Sequence, residues 1–76
     1  MAEYKTKQRE MILDYMIKNK DIHVTAEMII NYFRLHGTPI GKSTVYRNLD
    51  RLVEENAVRK FTIEDGVSAC YQYAPD

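Results

Sequence analysis

The run Lys42-Ser43-Thr44-Val45-Tyr46-Arg47-Asn48-Leu49-Asp50-Arg51-Leu52-Val53-Glu54-Glu55 carries its apolar residues Val45, Leu49, Leu52 and Val53 at i, i+4, i+7 and i+8. That spacing lines one side of an α-helix, so residues 42–55 are predicted to be amphipathic and helical. The opposite side holds Ser43, Arg47, Asp50, Arg51 and Glu54, with Tyr46 on the flank. Its N-terminal half is hydroxyl-bearing, aromatic and basic; its C-terminal half is acidic.

Just before this run, Gly37-Thr38-Pro39-Ile40-Gly41 reads as a tight connector, because proline fixes its own backbone and glycine is poor in a helix interior. Upstream, Thr25 is a helix N-cap, Glu27 suits the positive end of the helix dipole, and Ala26, Ile29, Ile30 and Phe33 form an apolar stripe. A helix over 26–36, stopped by Gly37, is predicted. Two helices so closely joined make a helix-turn-helix. Ahead of them, Thr6 is a candidate N-cap for a first helix over 7–19, with Ile12, Leu13, Met16 and Ile17 inward. Asn19-Lys20-Asp21 is turn-like, and Ile22-His23-Val24 is a short β-prone bridge.

Downstream of Asn56 the period changes to two. Arg59, Phe61 and Ile63 alternate with Val58, Lys60 and Thr62, and Val67, Ala69, Tyr71 and Tyr73 alternate with Ser68, Cys70 and Gln72. Asp65-Gly66 supplies the backbone angles of a two-residue hairpin turn. Three helices followed by a two-stranded hairpin define an α+β fold, a winged helix-turn-helix, as a single domain over residues 1–76.

With 76 residues, 45% hydrophobic and 29% charged, the chain has the composition of an ordinary globular domain near the lower size limit for a core. No apolar run reaches the ~18 residues a membrane span needs, and no secretory signal opens the chain; a cytoplasmic, non-membrane protein is expected. Cys70 is the single cysteine, so no internal disulfide is available. Net charge is zero, against the basic excess usual for a nucleic-acid partner. The distribution is uneven, however. Lys5, Lys7 and Arg9 face only Glu3 near the N-terminus, and Lys42, Arg47, Arg51, Arg59 and Lys60 outnumber Asp50, Glu54 and Glu55. Two basic segments can therefore steer locally.

The major groove of DNA admits one α-helix, and base edges are read near the end that enters it. Lys42, Ser43, Thr44, Tyr46 and Arg47 suit that end. Arg47 can donate two hydrogen bonds to guanine, and Tyr46 can meet a thymine methyl. Arg51 continues the basic face; Lys5 and Arg9 suit a basic arm on phosphates or in a minor groove, and Arg59 an anchor at the base of the wing. Glu64 and Asp65 would repel phosphate, so the wing tip is expected to stay off the DNA. No phosphate loop, nucleophile with an adjacent base, or paired acids appears, which points away from an enzyme. A protein-interaction winged helix, favoured by the zero net charge and the acids, is the rival reading. A redox switch at Cys70 is a third.

Four segments together, Thr6-Lys7-Gln8-Arg9 with Ile12-Leu13, His23-Val24-Thr25-Ala26-Glu27, Ser43-Thr44-Val45-Tyr46-Arg47-Asn48-Leu49 and Leu52-Val53-Glu54-Glu55-Asn56, resemble the N-terminal half of ferric uptake regulator proteins. The resemblance implies a bacterial metal- or peroxide-responsive repressor, homodimeric when whole, that binds an A·T-rich inverted repeat of double-stranded DNA. It implies Tyr46 and Arg47 in the major groove and an N-terminal lysine in the minor groove, a role that passes to Lys5 because Tyr4 holds the family's lysine position. It also implies a regulatory metal, zinc, iron or manganese, with His23 among the ligands and the sensing and dimerisation half beyond Asp76. Gln72 stands where a hinge carboxylate is usual. For these 76 residues alone the expectations are a monomer, no bound cofactor, and a hydrogen-bonded structural role for His23.

Overall fold

The computed structural model describes residues 7–62 and 69–75. The expectations for Lys5, Thr6, Glu64 and the Asp65-Gly66 turn lie outside those residues. Within them run α1 (Lys7–Lys18), α2 (Ala26–Leu35), α3 (Lys42–Glu54), β1 (Val58–Thr62) and β2 (Ala69–Tyr73), the arrangement of a winged helix-turn-helix.

Each boundary has a local cause. Thr25 caps α2 by accepting the Met28 N–H on its hydroxyl at 3.1 Å, while its own N–H reaches the Met28 sulfur. Two helices end in the same device. At α2, Gly37 takes a positive φ of 77°, Thr38 N–H donates to Phe33 O at 2.9 Å and Gly37 N–H donates to Arg34 O. At α3, Asn56 takes φ 64°, with Ala57 N–H on Leu52 O and Asn56 N–H on Val53 O, both at 3.0 Å. These paired bonds satisfy carbonyls that a helix end leaves open. They also end α2 and α3 one residue earlier than apolar spacing alone predicts.

The core draws on every element: Ile12 and Met16 from α1, Ala26, Ile29 and Phe33 from α2, Ile40 from the connector, Val45, Leu49 and Leu52 from α3, Val58 from β1 and Tyr71 from β2, with Val24 between α1 and α2. Ile17, predicted to face inward, is 40% exposed; at one residue past Met16 it lies about 100° around the helix, off the stripe.

Strands β1 and β2 pair antiparallel with Val58 opposite Tyr73, Lys60 opposite Tyr71 and Phe61 opposite Cys70. The other edge of β2 is bridged by Val24, whose N–H and C=O both bond Tyr71 at 2.7 Å. The β-prone bridge expected at residues 22–24 thus becomes a short third rung of the sheet. Only the face bearing Val58 and Tyr71 meets the helices. Cys70 pairs with Phe61 on the outer face and is half-buried.

Tyr71 is fully buried, and burial, then the nearby charges of Asp50 and Tyr46, push its phenol above the ordinary value of 10. The same holds for Tyr15, raised by burial and then by Tyr32. Because the folded state holds these protons more tightly than the unfolded chain, their contribution to stability is complete below pH 10. It is lost as pH climbs through the raised folded pKa. Urea unfolding at successive pH values above 10 should show stability falling in the wild type and falling less steeply in Tyr71→Phe. Parallel curves would show that Tyr71 does not titrate with folding.

Candidate nucleic-acid interface

The position of α3 follows from its buried side. Val45, Leu49 and Leu52 are fully enclosed against the other elements, which leaves Lys42, Ser43, Tyr46, Arg47 and Asp50 exposed and Thr44, Asn48 and Arg51 half-buried. Tyr46 is 39% exposed. Asn48 donates its side-chain N–H to Thr44 O at 2.8 Å, which occupies a polar group on the same face. At the N-terminus, Gly41 is the cap residue and provides no side-chain bond, so the first N–H groups of α3 are left to solvent or to an anion. Arg47, Asp50, Arg51 and Glu54 surround a shallow depression of about 240 Å³, where the basic and acidic halves of the exposed face meet.

The remaining sequence-derived candidates are dispersed. Lys7 opens α1 and is exposed, but Arg9 is 12% exposed and ion-paired with Glu55, at the far end of α3. A second acid, Glu10, lies 3.8 Å from the same guanidinium. Arg59 is exposed on β1, opposite Gln72. Glu55 and Phe61 were not singled out by the sequence, because a partner 46 positions away and the outward face of a strand leave no local signal.

His23 is exposed, and its ring stacks on Phe61 with centroids 4.6 Å apart and planes 13° from parallel. Among the described residues that stack, and not the expected hydrogen bond, holds it. Gln72 donates its side-chain N–H to Lys20 O at 3.0 Å. Among the described residues no three His, Cys, Asp or Glu side chains approach closely enough to hold an ion. A neutral carboxamide tied to the main chain lacks the charge of a hinge carboxylate, and one imidazole is too few ligands for zinc or iron. These residues do not by themselves fit a regulatory metal.

Among the described residues, no helix is long and apolar enough to cross a membrane. The model of the Ferric uptake regulator family matches residues 3–75. The ferric uptake regulation protein of Bacillus subtilis (strain 168) is 37% identical over 68 residues, which span 88% of this chain and 46% of that protein. The backbone resembles the ferric uptake regulator of Francisella tularensis solved with iron, at TM-score 0.84 and 24% identity over 96% of this chain and 57% of that one. It also resembles the Vibrio cholerae ferric uptake regulator, at TM-score 0.82 and 25% identity over 93% of this chain and 53% of that one. A third similar structure is PerR of Streptococcus pyogenes, described for peroxide sensing and gene regulation, at TM-score 0.76 and 29% identity over 90% of this chain and 46% of that one. The chain spans about half the length of the relatives it matches.

Proposed function

Because this chain belongs to the ferric uptake regulator family, a family of transcriptional regulators and not of enzymes, we propose that it is the sequence-reading head of a metal- or peroxide-responsive repressor. The observation that carries the reading is the seating of α3: its apolar side is fully enclosed while Tyr46 and Arg47 remain exposed on the other. Helix α3 enters the major groove, with Arg47 on a guanine edge and Tyr46 against a thymine methyl. Lys42, Ser43 and Thr44 stand at the end that enters the groove, and the open N–H groups at its start meet phosphate. Arg51 lies one turn beyond Arg47, Arg59 reaches the backbone from the ribbon, and Lys5 takes the minor groove.

In the whole protein two heads bind an A·T-rich inverted repeat as a homodimer, and His23 joins metal ligands supplied by residues outside this chain. A single head binds weakly, since it lacks the gain in effective concentration from tethering two.

Fluorescence anisotropy of the chain with A·T-rich inverted repeats and scrambled duplexes, over a salt series, tests this. Affinity should fall with a log–log slope of about −0.9 per phosphate contact. The mixed charges around Arg47, Asp50, Arg51 and Glu54 favour a second reading, a protein-docking helix. Duplex binding that is absent or indifferent to salt would replace the first reading with the second.

A further inference from the structure

We propose that Arg9 is a positioning residue for α3, acting through its ion pair with Glu55 and not through a phosphate. The inference rests on the DNA reading of α3. By sequence Arg9 belongs to a basic arm; in the structure its side chain is 12% exposed and its Nη2 meets Glu55 Oε1.

Glu55 is the residue that closes α3, with its N–H on Arg51 O at 3.0 Å, and the left-handed Asn56 follows. Two consecutive acids, Glu54 and Glu55, stand at the negative end of the helix dipole, where a carboxylate is disfavoured. The Arg9 guanidinium offsets that charge and ties the end of α3 to the first turn of α1. Arg47 lies eight residues, roughly 12 Å, back along the same helix at 1.5 Å per residue. Releasing the far end lets α3 tilt on its apolar seat and displaces Tyr46 and Arg47 together. An arginine suits the task because its planar fork fixes direction as well as charge.

Ordinary electrostatics makes the opposite prediction for Glu55, since removing an acid from a DNA-binding surface should strengthen binding. Anisotropy with the A·T-rich inverted repeat, at one salt concentration and across a series, separates the two. Glu55→Gln and Arg9→Gln should each weaken binding about fivefold, the size of effect expected for a residue coupled to a site it does not touch. The salt slope should be unchanged in both. The exchanged pair Arg9→Glu with Glu55→Arg should return to within about twofold of the wild type, and circular dichroism shows whether each variant is folded at the assay temperature. If the single variants unfold, the exchanged pair decides: recovery of binding supports the brace, and failure with the fold intact overturns it. Tighter binding by Glu55→Gln, or a slope reduced by about 0.9 in Arg9→Gln, also overturns the brace and leaves the DNA reading standing. A wild-type chain that binds no duplex overturns both.

Discussion

Arg47→Ala should lower affinity for the preferred duplex by between about 5-fold and 150-fold, the equivalent of 1–3 kcal/mol for a lost bidentate base contact, while affinity for a scrambled duplex barely changes. Arg47 is exposed on α3 and contributes nothing to the enclosed side, so unfolding stability should stay within about 0.5 kcal/mol of the wild type. Arg47→Lys keeps the charge and loses the fork, and should fall between the two. Competition anisotropy with paired specific and scrambled duplexes measures the ratio directly. Equal losses on both duplexes would reassign Arg47 from base reading to phosphate contact.

Leu49→Ala should act through the other side of the same helix. Leu49 is fully enclosed in the core, and removing most of such a side chain costs about 2–5 kcal/mol in transfer and cavity terms. A domain of this size holds on the order of 4–11 kcal/mol in total, so much of the variant's stability disappears and a measurable fraction unfolds. Leu49→Met, which nearly conserves volume, should cost less than about 1.5 kcal/mol. Urea unfolding curves settle the comparison. A Leu49→Ala chain as stable as the wild type would mean that α3 is not seated by this stripe. The two substitutions lie two positions apart in sequence, and opposite outcomes for fold and for recognition are what an amphipathic reading helix requires.

Local patterns carried most of the fold. Helix and strand periods are written in neighbouring residues, so α1, α2, α3 and the change of period after Asn56 were legible, as was the exposure of Tyr46 and Arg47. What escaped depends on contacts between distant segments. Apolar alternation in a ribbon does not state which face meets the helices; that shows only in the burial of Val58 and Tyr71 against the rest of the core. Arg9 looks the same as Lys7 in sequence, one position apart in character and two in number, yet one is exposed and the other is engaged with Glu55. His23 offers an imidazole to any reading of motifs, whereas its neighbour in space is the Phe61 ring. Asn56 at positive φ was also missed as a stop signal for α3, because asparagine adopts that conformation less often than glycine and marks it less plainly.

The rung between Val24 and Tyr71, with the Gln72 amide fastened to Lys20 just beyond it, welds the root of the ribbon to the segment from which α2 departs. The ribbon's root cannot swing outward as a hinged flap without tearing those bonds. The root and α3, which pack into one core, are therefore held at a fixed spacing. On the proposed reading of α3, a double helix whose grooves do not match that spacing must itself bend or narrow to fit, and the energy of that distortion depends on base sequence even where no side chain touches a base.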